Sequence, residues 1–184
     1  MQDVFTKIAK WSAALMGGIA LTACSKVVSF VEEVEIDGKT YQVERREYFD
    51  QQPIQLEWRY RWLESEIYVK DLSLPRWRAN LWPMYIGKAK DGSLVLVTLI
   101  RSTEAWVERG SPRNWYVAFR ADQKKWIEVP VPLEFEGRKA SFMMGIHVEA
   151  GEKELITKAD REFRNKISAP GRAGRVELNL STQR

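Results

Sequence analysis

The chain has 184 residues, of which 45% are hydrophobic and 29% are charged, and its formal net charge is +4. This composition excludes a disordered or collagen-like protein, and a single cysteine excludes an internal disulfide. Positions 26–149 carry 19 basic and 19 acidic residues, so the positive excess lies in positions 150–184, which carry 8 basic and 5 acidic residues. With His147 as the only histidine, no Cys/His cluster has metal-site spacing, and we expect neither a metal nor another cofactor.

The first 25 residues have the pattern of an export signal. Lys7 and Lys10 place positive charge near the start, and the thirteen residues at positions 11–23 are uncharged. A basic start, an apolar run of this length and small residues at its end form a secretory signal. The run is shorter than the roughly 20 apolar residues that a membrane-spanning helix needs, so we expect it to be removed rather than retained.

The signal ends in Leu21-Thr22-Ala23-Cys24, which resembles the lipobox of bacterial lipoproteins. The resemblance implies that the Cys24 thiol receives a diacylglycerol and that a peptidase cleaves just before it. Residues 1–23 would then be a cleaved lipoprotein signal peptide, and residues 24–184 a single lipid-anchored globular domain. The alternatives are an ordinary cleaved signal with a cysteine nearby, or a free cysteine buried in a core helix.

Ser25 is the residue that bears on the choice of membrane. In lipoproteins of enteric-type bacteria, Asp directly after the lipobox cysteine tends to retain the protein at the inner membrane, whereas other residues permit export to the outer one. The resemblance therefore implies that Ser25 directs the chain to the outer membrane, with the inner membrane left as the alternative. Two or more acyl chains would make the anchor stable, whereas one chain holds a protein only marginally.

Three strand pairs are predicted in the body of the chain. Asp37-Gly38 separates two alternating runs, and Asp-Gly supplies the positive φ angles of a type I′ hairpin turn. Asp91-Gly92 predicts a second such turn, and the third pair flanks positions 121–125. The segment 94–100 is apolar on both faces except at Thr98, so it should be a central strand. Because Pro130 and Pro132 cannot donate hydrogen bonds, the strand before them should lie at an edge or end there.

Two groups of aromatic residues are candidate partner-binding sites. Trp58, Tyr60 and Trp62 alternate along one predicted strand and so share a face, which could bind sugars such as peptidoglycan glycans or a peptide. The alternative, which we favour, is the aromatic core face of a half-buried strand. The second group lies in a proline-punctuated segment expected to be a loop, and it is the first choice for binding unless its tryptophans close the end of the sheets. Its members are Trp77, Trp82 and Tyr85.

The last part of the chain predicts a strand at positions 141–148 and then a helix. Apolar residues recur at helical spacing, Pro170-Gly171 ends the helix, and positions 176–180 can return as a final strand. The residues of the predicted apolar helix face are Leu155, Ala159, Phe163 and Ile167. Together the patterns predict a mainly β fold, an antiparallel sandwich or barrel of about eight or nine strands with one C-terminal helix.

No catalytic signature accompanies the few candidate residues. His147 and Glu149 alternate on one predicted strand and Glu134 and Glu136 on another, but no serine motif marks a nucleophile. We therefore expect a non-enzymatic lipoprotein on the periplasmic face of the outer membrane. It would bind an envelope protein or peptidoglycan, and no nucleic acid, because export removes that partner. The alternative is an immunity or inhibitor lipoprotein against a periplasmic toxin or hydrolase, and an envelope hydrolase comes third.

Overall fold

A computed structural model describes residues 25–54, 57–112, 115–144, 155–168 and 177–180. Within these ranges the chain is mainly β, with nine strands in two sheets, one short α-helix, one C-terminal α-helix and two 3₁₀ turns at Lys70–Leu72 and Leu133–Phe135. The elements are β1 (Ser25–Ile36), β2 (Lys39–Ile54), β3 (Glu57–Val69), β4 (Trp77–Ala79), β5 (Trp82–Lys88), β6 (Leu94–Leu99), α1 (Thr103–Glu108), β7 (Tyr116–Ala121), β8 (Trp126–Val129), β9 (Leu155–Ile156) and α2 (Lys158–Ser168).

The first sheet has five strands in the order β4-β3-β2-β1-β9. Neighbouring strands are antiparallel except β9, which runs parallel to β1 and pairs Leu155 with Val31. Asp37 and Gly38 join β1 to β2 with φ angles of 57° and 77°. Both angles are positive, as a type I′ turn requires, so the prediction for this hairpin is confirmed.

The second sheet has four antiparallel strands in the order β5-β6-β7-β8. β6 is an interior strand whose residues 95–98 are buried, as the apolar run predicted. β8 is an edge strand and ends at Val129, directly before Pro130, which also confirms the prediction. The Asp91-Gly92 turn is of another type, because only Gly92 has a positive φ (80°) and its N–H donates to the Ala89 carbonyl at 2.8 Å. This hairpin therefore has a three-residue loop with a glycine bulge.

The core lies between the two sheets and is formed by the inward-facing side chains of both. Ile67 of the first sheet and Ile86 and Leu96 of the second belong to one buried cluster, where Trp77 also meets Phe119 edge-on at 5.6 Å. Each such side chain contributes about 1.5–3 kcal/mol when it leaves water. The arrangement is consistent with a β sandwich, so the predicted fold class is confirmed.

Two strand predictions near the end of the chain are wrong for the residues that the structure describes. Ser141–Met144 form no strand, and the N–H groups of Ser141 and Phe142 instead donate to the Met84 carbonyl. Positions 145–148 of that predicted strand lie outside the described residues. In the segment 177–180, Glu177 forms a single β-bridge with Lys139, and no strand follows it up to residue 180.

The C-terminal helix was predicted correctly as an element but with the wrong start and the wrong buried face. It begins at Lys158, and Leu155 lies in β9 instead. Phe163 is 65% exposed, whereas Arg161 and Asn165 are each only 4% exposed. The side-chain amide of Asn165 accepts from the Met144 N–H and donates to the Phe142 carbonyl, so the helix packs through polar contacts to backbone groups.

Candidate functional site

A cleft of about 700 Å³ opens at the end of the molecule that carries the β1–β2 turn. Its walls come from the last residues of β1, from β5, from the segment 137–141 and from the first two turns of α2. The cleft therefore lies where both sheets and the helix meet. Its volume falls in the range of about 300–1,000 Å³ that is usual for small-molecule sites.

Positive charge predominates around the cleft. Five of its lining residues are basic and three are acidic. Two acidic residues are paired with lysines, Glu35 with Lys158 at 2.8 Å and Asp37 with Lys88 at 3.3 Å. The hydrogen bond from Lys158 lowers the pKa of Glu35, and the same contact raises the pKa of Lys158. Of the other charged lining residues, Arg138, Lys139 and Arg161 are basic and Glu162 is acidic, which leaves a positive excess. Arg161 is almost fully buried and donates to the Glu33 carbonyl, so Arg138 and Lys139 carry the accessible positive charge.

The floor of the cleft depends on a glycine beneath a tyrosine. A Cβ atom on Gly87 would lie 2.5 Å from the Tyr85 hydroxyl oxygen, so only glycine leaves room for this ring. The Tyr85 ring also meets the Phe135 ring edge-on, with 5.0 Å between their centroids. Burial raises the pKa of the Tyr85 hydroxyl, so the group keeps its proton at neutral pH and can donate a hydrogen bond.

A separate cluster of three charged side chains lies between the sheets. Glu32, Arg45 and Glu47 have no exposed surface. Arg45 Nε lies 2.5 Å from Glu47 Oε1, and its Nη1 lies 3.1 Å from Glu32 Oε2 and 3.0 Å from the Met143 carbonyl oxygen. Glu32 also accepts from the Met143 N–H. The cluster thereby ties β1 and β2 to the segment that follows residue 140.

The surroundings of this cluster are largely aromatic. The Arg45 guanidinium lies 5.5–5.8 Å from the ring centroids of Phe30, Trp82 and Phe142. Burial raises the pKa of Glu32, although the positive charges of Arg45 and Arg161 oppose the shift. In the part of the chain that the structure describes, Arg45 Nη2 and Trp82 Nε1 are buried without a hydrogen-bond partner. Because the cluster is closed to solvent, we interpret it as a structural element.

Of the first aromatic group, Trp62 packs against the core and Tyr60 lies near the surface. Positions 58, 60 and 62 pair with Pro53, Gln51 and Phe49 of β2. Every second residue of β3 therefore pairs with every second residue of β2, as the predicted strand alternation requires. Trp62 is half-buried, and its ring centroid lies 5.3 Å from that of Trp82. Its indole N–H donates to the Glu47 carboxylate at 2.6 Å. Tyr60 is 39% exposed. The side chain of Trp58 lies outside the described part of the structure.

The second aromatic group does not lie in a loop, so that prediction is wrong. Trp77 belongs to β4, and Trp82 and Tyr85 belong to β5. Trp77 and Trp82 are each 3% exposed, so a partner would meet almost none of either ring. The structure brings Trp82 together with Trp62 of the first group, and Tyr85 packs against the same buried cluster while also lining the cleft.

The remaining predicted sites are distributed along the chain. Cys24 lies outside the described residues, and Ser25 is the exposed first residue of β1. His147 and Glu149 also lie outside. Glu134 and Glu136 do not share a strand, because residues 133–135 form a 3₁₀ turn, and their carboxylates accept from the N–H groups of Lys90 and Leu180. Among the described residues, no group of three or more His, Cys, Asp and Glu side chains could hold a metal ion.

Neither the cleft nor the buried cluster was identified from the sequence. The cleft combines four segments that are distant along the chain, and Tyr85 is the one lining residue that had been predicted to bind a partner. The sequence does contain a signal for the cluster. Glu32 is two residues from the buried Val34 and Arg45 is two residues from the buried Val43, so alternation along each strand places both charged residues on the inward face. Charged residues at inward positions of a strand indicate a buried pair.

Comparison with known protein families, with curated proteins and with solved structures finds no match for this chain. Among the described residues, the helices are too short and too polar to include a candidate membrane span.

Proposed function

We propose that this protein is an outer-membrane lipoprotein, anchored through Cys24, whose periplasmic domain binds another envelope component in the cleft and catalyses no reaction. The lipobox and the export signal support the anchor. The observation that carries the binding role is the position of the cleft. Ser25 begins β1 and Glu35, in the cleft wall, lies ten residues further along it, which corresponds to about 33 Å of extended strand.

The charges of the cleft favour an acidic ligand. Five basic lining residues exceed three acidic ones, and the two ion pairs within the protein leave three basic residues against one acidic residue. The Tyr85 hydroxyl adds a hydrogen-bond donor. A carboxylate of a peptidoglycan peptide or of an acidic protein segment would complement this combination. The length of β1 between residue 25 and the cleft would hold the cleft away from the membrane surface, where such a partner could reach it.

The anchor is tested by the intact mass of the mature protein purified from membranes. We expect a chain that begins at Cys24 and carries diacylglycerol and an N-acyl group. Globomycin, which inhibits the lipoprotein signal peptidase, should leave the precursor uncleaved, and Cys24→Ser should release the protein from the membrane fraction. A mature mass without acyl groups would overturn the anchor.

The cleft is tested by charge reversal in the acylated protein. The double variant Arg138→Glu with Lys139→Glu should lose binding to isolated peptidoglycan, or to the protein captured by the wild type from envelope extracts. The matched control, Lys124→Glu with Lys125→Glu, makes the same change of charge in the β7–β8 turn, outside the cleft. Equal binding by both double variants would contradict a role for the cleft.

A further inference from the structure

The β2–β3 hairpin extends beyond the start of β1. Ser25 pairs with Asp50, which in turn pairs with Arg61 of β3. β2 then continues for four residues to Ile54, and these pair with Glu57–Tyr60 of β3. At 3.3 Å per residue, the backbone of this hairpin projects about 13 Å past Ser25.

Exposed apolar and basic side chains surround the start of β1. Val27, Tyr60 and Leu63 are 46%, 39% and 37% exposed. Lys26 and Arg61 are exposed as well, and Lys26 Nζ lies 5.2 Å from the centre of the Tyr60 ring. We name these five residues the anchor-end surface. Aromatic rings beside lysine and arginine are the composition that favours the boundary between lipid headgroups and water.

We propose that the anchor-end surface and the projecting hairpin contact the headgroups of the membrane that holds the lipid anchor. This inference rests on the proposed function, since it takes Cys24 as the acylated residue. Adjacent Cα atoms lie 3.8 Å apart, so acyl chains on Cys24 would hold Ser25 at the bilayer with no linker between them. A hairpin that projects about 13 Å past Ser25 then reaches the same headgroup layer.

Charge selects an anionic lipid surface as the occupant. Lys26 follows Ser25 along β1, and Arg61 forms an ion pair with Asp50 across the sheet at 3.4 Å. These three side chains together carry a net charge of +1, which attracts an anionic surface. Each basic residue close to an anionic bilayer strengthens binding about fivefold. Contact at this end would orient the domain as well as tether it, because the cleft lies at the opposite end of β1.

The experiment measures how close each end of the domain lies to the bilayer. Mature acylated protein is reconstituted in phosphatidylethanolamine–phosphatidylglycerol vesicles with an environment-sensitive fluorophore on Val27→Cys or Leu63→Cys. Acylation of Cys24 leaves the new cysteine as the only free thiol. We expect strong quenching by headgroup spin-labelled lipid at both positions. The matched control, Thr40→Cys, lies exposed near the β1–β2 turn and should be quenched several-fold less.

A second measurement isolates the charge contribution. Lys26→Gln with Arg61→Gln, or vesicles of phosphatidylcholine alone, should reduce quenching at position 27 toward the value at position 40. Quenching that is equal at positions 27 and 40 in a chain of acylated mass would overturn this inference while leaving the anchor intact. A chain without acyl groups would overturn the proposed function itself, so the two failures are distinguishable. Unfolding midpoints equal to that of the wild type would confirm that the labelled chains are folded.

Discussion

Arg45 and Glu47 project from the same face of β2 and form an ion pair, with 2.5 Å between Nε and Oε1 and no exposed surface on either side chain. A buried charge costs several kcal/mol unless other groups compensate it. Glu47 receives further hydrogen bonds from Trp62 and Ser65, both at 2.6 Å. The pair therefore depends on residues of β3 as well as on its own strand.

Removal of the central arginine should destabilise the fold strongly. Arg45→Met would leave Glu32 and Glu47 buried without their main partner, and we expect a loss of about 3–5 kcal/mol in the free energy of unfolding. Urea denaturation measures this loss. Arg46→Met, one residue along, is the control, because Arg46 is 44% exposed and its ion pair with Glu66 spans 3.6 Å. That variant should lose less than about 1 kcal/mol, and equal losses would contradict our interpretation of the cluster.

The pH dependence of stability should report Glu32. Because burial raises its pKa above 4.5, the native state holds this proton to higher pH than the unfolded state does. The stability contribution is complete below about pH 4.5 and is lost as the pH rises through the native pKa. The free energy of unfolding of the wild type minus that of Glu32→Gln should therefore fall as the pH rises from 4 to 8.

Glu35 provides a control of opposite sign. Lys158 lowers its pKa, so its contribution is present above the unfolded pKa and is lost as the pH falls through the native one. The free energy of unfolding of the wild type minus that of Glu35→Gln should therefore rise with pH. The rise should be small, because Glu35 is exposed and solvent screens its charge. A Glu32 difference that also rises with pH would show that the charges of Arg45 and Arg161 outweigh burial.

A methyl group at position 87 should displace Tyr85. In Gly87→Ala the new Cβ would lie 2.5–2.9 Å from the hydroxyl oxygen and two ring carbons of Tyr85, and we expect a loss of about 1–3 kcal/mol in the free energy of unfolding. Adding Tyr85→Phe to this variant removes the closest contact and should restore part of the loss. If Tyr85→Phe alone leaves the free energy of unfolding unchanged and the double variant is no more stable than Gly87→Ala, the strain does not come from the contact with Tyr85.

The cap of α1 should be worth about 1 kcal/mol. The Ser102 hydroxyl accepts from the Ala105 N–H at 3.0 Å, so Ser102→Ala leaves a backbone donor of the first turn unpaired. Thermal and urea unfolding should both show the loss. Thr103→Ala changes the next, exposed residue and should have little effect. A larger loss in Thr103→Ala than in Ser102→Ala would exclude the cap as the cause.

Local patterns predicted the hairpins well because turn chemistry and alternation act within a few residues. Asp37-Gly38 specifies its turn through two positive φ angles, and the apolar run of β6 requires cover on both faces. Contacts between distant segments were not predictable in this way. The polar side of α2 is buried because Asn165 satisfies the backbone at residues 142 and 144, a need that the helix sequence does not show.

The tryptophans illustrate the same limit. Pro75 and Pro83 suggested a loop around Trp77 and Trp82, yet both prolines are compatible with the short strands on either side of residues 80 and 81. The cleft was predictable only at Tyr85, because its charged walls come from β1, the segment 137–141 and α2. These segments come together because of the order in which the strands pair, which the local sequence does not show.

The parallel pairing of β9 with β1 has a consequence for the order of assembly. β1 and β2 are adjacent in the chain and can form their hairpin early in folding, but the other side of β1 is paired at Val31 and Glu32 only once residues 155 and 156 are in place. Through that interval the unpaired N–H and C=O groups of β1 offer a template to any extended chain nearby. Chaperones that shield unpaired strands before β9 docks should therefore matter more for this protein than the strength of its hairpins suggests.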